Sequence, residues 1–196
     1  MLLFVRKEVL CALAVVAAKN DTRYYLNGIC FMPGGKIAAT DGHRLLVAYT
    51  GKRDNKNADL TENMIFSIPS KIPAGRWEYA AFDAESGLIS FLPATVGLKQ
   101  SNWRAFKDVR IDVAVTKLID GNYPDVLRLI NKRKEEPTSK IGFNAAYLND
   151  VAKIAKFINS RFESITFSLS GPNGTALAEI SNPWVEVKYI VMPCRI

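Results

Sequence analysis

His43, the single histidine of the chain, stands two residues after Asp41, and a carboxylate beside an imidazole is the pairing that acid–base catalysis uses. No nucleophile is positioned to exploit it, and neither a Gly-rich phosphate loop nor a paired-carboxylate motif occurs. Cys11, Cys30 and Cys194 are far apart, form no Cys-x-x-Cys pair and find one histidine between them, which leaves no zinc constellation. Such a set reads as free thiols in a reducing compartment, so the cytoplasm is the expected location. Catalytic residues, cofactors and metals are not expected, and the chain is not read as an enzyme. What it does carry is positive charge. Twenty-six Lys and Arg against 19 Asp and Glu give a net charge of +7, which suits a polyanionic partner, either nucleic acid or an acidic membrane face.

The elements that must position these groups follow from periodicity. At 196 residues, 48% hydrophobic and 23% charged, the chain can bury a core. Residues 6–19 read as a helix, with Val9, Leu13 and Val16 at helical spacing and Asn20 able to end it. Arg6-Lys7 ahead of the apolar run Val9 to Ala18 has the outline of a leader, but Glu8 breaks the charge pattern and the run is too short to span a bilayer. Strands are predicted at about 24–32, 36–40 and 44–50, joined by Pro33-Gly34-Gly35 and by a tight Asp41-Gly42 turn. The polar loop 51–63 is exposed.

The end of the chain repeats that order. Asn144 caps a helix over 144–159 with Tyr147, Val151, Ile154 and Ile158 on one stripe, and strands follow at about 163–169, 175–181 and 184–192. A helix-then-three-strand unit thus occurs near both ends. The middle, 64–123, is mostly strand: Ile65 to Ile68, Trp77 to Phe82, Leu88 to Leu92 and Val109 to Leu118. A helix there is hard to find, because Ser70 to Gly75 is short and broken by Pro73 and Gly75.

Several segments resemble, in order, those of the bacterial sliding clamp family, the beta subunit of DNA polymerase III. They are Arg23-Tyr24-Tyr25-Leu26-Asn27-Gly28, Ala39-Thr40-Asp41-Gly42-His43-Arg44-Leu45, Leu118 to Asp125, Ile141-Gly142-Phe143-Asn144 and Tyr189 to Ile196. The resemblance implies an α+β fold of the DNA-clamp type, built from halves that each combine a helix with antiparallel strands. Residues 1–127 resemble the family's complete middle domain. Residues 128–196 resemble a linker followed by the last half of its C-terminal domain. A first domain, and the first half of a third, are expected to be missing. Arg128 to Lys140 is read as a solvated linker, with DNA contact as the alternative.

The family binds short linear peptides of replication proteins in a groove between its second and third domains. By position the resemblance assigns that groove to Leu26, Thr40, Gly42, His43, Arg44, Leu45, Pro124, Arg128, Ile190, Met192, Pro193, Cys194 and Arg195. Cys194 stands where a larger thioether is usual. The family's helices line a pore around duplex DNA, which implies loose phosphate contacts from Arg6, Lys7, Lys19, Lys153 and Lys156. On the last helix, Lys153 and Lys156 share a face with Asn149 and Ser160. The implied function is a sliding clamp, a processivity factor that encircles double-stranded DNA. It would tether a DNA polymerase, and meet a clamp loader, through short linear motifs, with no membrane partner. A ring of twelve halves built from three per chain would be a homo-tetramer. The rival reading is a homologue that forms no ring and binds clamp-binding peptides as a decoy or regulator of replication.

Overall fold

The computed structural model describes residues 1–50, 57, 59–94, 106–159, 161 and 164–194. The chain opens with β1 (Leu2–Arg6) and α1 (Lys7–Val16), then a 3-10 turn at Tyr24–Leu26. The meander β2 (Gly28–Met32), β3 (Lys36–Thr40) and β4 (Arg44–Thr50) follows, then β5 (Met64–Ser67), β6 (Tyr79–Asp83), β7 (Leu88–Leu92), β8 (Asp112–Val115) and β9 (Leu118–Ile119). A short helix α2 (Val126–Asn131) precedes the last unit, α3 (Ala145–Ile158), β10 (Phe167–Leu169), β11 (Ala176–Ser181) and β12 (Val185–Val191). No helix among the described residues is long and apolar enough to cross a membrane.

All pairings between these strands are antiparallel. One sheet has the order β1-β6-β7-β8 and the other β10-β11-β12-β4-β3-β2-β5-β9. The junction of the second sheet is β12 against β4, in register from Val185↔Thr50 to Val191↔Arg44. This ladder welds the last helix-and-strand unit onto the first without an intervening half. Arg128 to Asn131, expected within a solvated linker, lies in the helix α2.

Strand alternation sorts the residues onto two faces. Leu46, Ala48, Val187, Tyr189 and Val191 point inward, where they meet Val9, Leu10, Leu13 and Val16 of α1 and Val151, Ile154 and Ile158 of α3. Phe31, Phe66 and Phe82 meet edge to face at 5.4 to 5.8 Å and tie the two sheets together. At ten residues with no side-chain N-cap, α1 is too short to persist alone in water. Burying its four large apolar residues, at ~1.5–3 kcal/mol each, is what holds it. In α3, by contrast, Asn144 Oδ1 accepts a hydrogen bond from Ala146 N at 2.9 Å, as its sequence position predicts.

Between β5 and β6 the chain crosses without a helix, as the broken Ser70–Gly75 segment predicts. The crossing folds back on α1 instead. Trp77 is buried, its Nε1 donating to Pro73 O at 2.8 Å, and Lys7 N donates to Glu78 O at 2.7 Å. Several strands are shorter than expected: Tyr24–Leu26 is a 3-10 turn, the strand after α3 begins at Phe167, and the run Val109 to Leu118 is divided between β8 and β9.

Arg44 locks α3 onto the sheet. Its Nε donates to Asp41 Oδ2 at 2.9 Å, its Nη1 to Asp150 Oδ2, and its guanidinium lies 4.8 Å over the Tyr147 ring. Asp150 is 6% exposed, so this carboxylate depends on its partners, Arg44 and Lys153. Arg44→Met should therefore lower unfolding free energy in urea by about 2–4 kcal/mol, because it leaves the Asp41 and Asp150 carboxylates poorly compensated. Adding Asp150→Asn should restore part of that loss; a neutral Arg44→Met would show that the ion pair does not hold the helix.

Candidate functional site

The Asp-Gly turn is built from its own side chains. Asp41 Oδ1 accepts from His43 N and Arg44 N at 2.9 Å each, and Thr40 Oγ1 donates to Arg44 O at 2.7 Å while accepting from Gly42 N at 3.1 Å. Gly42 has φ +90°, a backbone conformation that favours glycine, and a Cβ there would also push on the Arg23 guanidinium 2.9 Å away. Arg23 in turn donates to Asp21 Oδ2 at 2.8 Å and to Asp41 O at 3.2 Å, buttressing the turn from outside. Those Arg23 hydrogen bonds hold the Asp21 carboxyl well below its ordinary range, at about 2. Its support for the fold is therefore complete above the ordinary value of 3.8 and fades as pH falls toward about 2.

The carboxyl end of the chain is tied to this turn. Met192 N donates to His43 O at 2.9 Å and Cys194 N to Gly142 O at 2.8 Å. Leu45 pairs with Ile190 across the β4–β12 ladder, and alternation puts Met192 on the same face as Ile190. Leu26, Leu45 and Ile190 share one apolar cluster with Leu177, Tyr123 and Val126 on the outer face of the large sheet, opposite α1 and α3. Leu26, Leu45 and Ile190 are almost fully buried in this floor, with α2 packed on it through Val126. Around it stand groups open to solvent: Pro124, Arg128, Met192 and Cys194. His43 lies beside Tyr147, their rings stacked at 6.4 Å.

Twelve of the thirteen residues expected in the groove are thus placed around one turn, one ladder and its outer face; Arg195 lies outside the described residues. Arg44 departs from the expectation. Its guanidinium is turned toward α3 and engaged with Asp41, Asp150 and Tyr147, so it serves the fold rather than the open face. Sequence reasoning missed Val126 and Leu177. The Asp125 cap, which accepts from Arg128 N at 3.2 Å, and the Val126, Leu127, Ile130 spacing were the available signals for α2.

On the helix side, Lys7, Lys19 and Lys153 line one open cleft of about 630 Å³ between α1, α3 and the 72–74 crossing. Lys156 is exposed one turn beyond Lys153, and Lys153 also donates to Asp150 Oδ1 at 2.9 Å. Arg6 requires correction. It ends β1 rather than opening the helix, is 9% exposed, and bonds Glu8, Glu78 and the Tyr79 hydroxyl, with its guanidinium 5.3 Å over Trp184. A guanidinium so enclosed is a structural tie, not a phosphate contact. Ser160, expected on the same face, lies outside the described residues.

The thiols are chemically quiet where they are buried. Burial pushes Cys30 up to about 12 and also raises Cys11, the latter partly offset by Lys7. Among the described residues no cluster of His, Cys, Asp or Glu could hold a metal ion.

Comparison with known proteins supplies the family. Against the beta sliding clamp of Vibrio cholerae the chain is 26% identical over 241 aligned positions, covering 91% of this chain and 60% of that protein. Against that of Salmonella typhimurium it is 28% identical over 130 positions, covering 61% of this chain and 30% of that protein. The chain thus spans less than two thirds of these relatives' length. In fold it matches the sliding clamp of Pseudomonas aeruginosa solved with griselimycin at TM-score 0.62 and 19% identity, covering all of this chain and 66% of that one. The Bacillus subtilis clamp matches at TM-score 0.58 and 14% identity, covering all of this chain and 64% of that one. The family model of the DNA polymerase III beta subunit, central domain, matches residues 5–125, more than half of the chain, and the protein belongs to that family, the bacterial sliding clamps.

Proposed function

We propose that this chain is a sliding clamp, a non-catalytic processivity factor that encircles duplex DNA and tethers a polymerase through the outer-face groove. The observation that carries the reading is the β4–β12 ladder, which sets the Asp-Gly turn and the carboxyl tail side by side over an apolar floor. A peptide would seat a Leu or Phe anchor against that floor, with Met192, His43 and Arg128 fixing its path. Tethering raises the polymerase's effective concentration at the primer end without any bond to the DNA sequence. The partners on this reading are double-stranded DNA, a DNA polymerase and a clamp loader, all in the cytoplasm.

Phosphate contact falls to the opposite face, where Lys7, Lys19, Lys153 and Lys156 gather. Lysine suits sliding because its ammonium is a point charge that follows phosphates without reading bases. We assign residues 1–127 to a middle-type clamp domain and 128–196 to a connector plus a final half-domain. Three halves per chain then make a four-chain ring. An open strand edge supports assembly, since β8 pairs with β7 alone among the described strands and leaves Val113 and Val115 42% and 69% exposed.

Four measurements test this reading. Light scattering during size exclusion should give about four chains, and retention should be seen on circular but not linear DNA. A monomer at high concentration that is lost from both DNA forms would overturn the ring and favour a peptide-binding decoy. Met192→Ala, at an exposed position, should weaken an anchor peptide about three- to tenfold with stability unchanged; unaltered affinity would remove the groove. Lys19→Glu with Lys156→Glu should weaken duplex binding and reduce its salt slope by about 2, with Lys153 left to hold Asp150. An unchanged slope would move the DNA contact elsewhere.

A further inference from the structure

Beyond the end of α2 the apolar floor runs into a cleft of about 460 Å³ that collects Arg128, Lys132, Arg133 and Lys134. Two carboxylates share it, against four cations. Asp125 caps α2, accepting from Arg128 N at 3.2 Å. Glu136 lies over Gly171, where a Cβ would meet its Oε2 at 3.0 Å. Two polar atoms in the cleft lining, Arg133 Nε and Ser170 Oγ, are buried with no hydrogen-bond partner, although Arg133 Nη2 donates to Ser168 O.

The cleft adjoins the expected groove through Arg128, which lines it. Thr175 lines it, and Thr175 shares its face with Leu177, which pairs with Ile190 and belongs to the apolar floor. Exposed Leu129 adds an apolar wall. A cationic end joined to an apolar trough complements an acidic residue flanking an apolar anchor. Phosphate is the poorer match, because a nucleic-acid backbone has no use for Leu129 and Leu177 and the helix lysines lie on the other side of the sheet.

We propose that this cleft is an acid-binding subsite at the end of the peptide groove, taking the side-chain carboxylate of an Asp or Glu beside the docked anchor. The inference rests on the groove reading above and narrows it to acidic-apolar segments. It also accounts for the run of charge that begins in α2 and continues past its end. Arg128 and the cations that follow it receive the carboxylate, with the hydroxyls of Ser170 and Thr175 beside them.

The test uses the full chain and fluorescein-labelled peptides carrying a Leu-Phe anchor with two aspartates before or after it, each with an asparagine twin. Anisotropy at about 50 mM salt should show one acidic peptide binding about fivefold tighter than its twin, with the preference shrinking as salt rises. Lys132→Glu with Lys134→Glu, both exposed, should erase the preference and leave the asparagine twin's affinity unchanged. Equal binding of acid and amide peptides at both positions would overturn the subsite and leave the groove standing. Failure of every peptide to bind would remove the groove and this inference with it. An acid preference that survives the double variant, together with a loss of duplex-DNA binding, would reassign the cleft to phosphate.

Discussion

The antiparallel ladder between β4 and β12 is the constraint on which the rest of this molecule depends. It makes one sheet out of strands from the first and last helix-and-strand units, so the outer floor holds Leu45 from one and Ile190 from the other. It sets α3 against α1 over the inner face, so neither helix must hold itself. It delivers the tail to the turn, where Met192 N meets His43 O. A one-residue slip would send Ile190 inward and Tyr189 outward, destroying both faces together. That penalty is what makes the register unique.

The large sheet then acts as a partition between two chemistries. On its inner side are helices whose exposed edges bear ammonium groups, suited to weak and repeated phosphate contact. On its outer side is an apolar floor bordered by guanidinium, thioether and proline, suited to an anchored peptide. Strand alternation produces this separation directly, because adjacent residues such as Leu45 and Leu46 serve opposite faces. The middle unit dispenses with its helix, and the crossing around Trp77 closes that part of the core by packing on Phe91 at 4.8 Å.

Positive charge is not one property in this chain. Arg6 and Arg44 have planar, multidentate heads, and each is drawn into a partly enclosed site where carboxylates and aromatic rings satisfy it. Some lysines, such as Lys19 and Lys156, stand exposed, whereas Lys153 is paired with Asp150 and Lys188 with Glu179. Net charge therefore overstates what is available to a polyanion.

By itself the sequence determined the positions of α1, α3, β3, β4 and β7, the Asn144 cap, the glycine demanded by the Asp41-Gly42 turn and the absence of a helix between Ile68 and Trp77. These are local matters: periodicity, capping and positive φ are settled within a few residues. Tertiary structure alone decided that Arg6 and Arg44 are consumed by ion pairs, that α2 closes the outer floor, and that the residues after it shape a cationic cleft. Each of those outcomes turns on partners far away in the chain, such as Arg44 with Asp150 and Arg6 with Glu78, and proximity of that kind exists only once the sheets have closed.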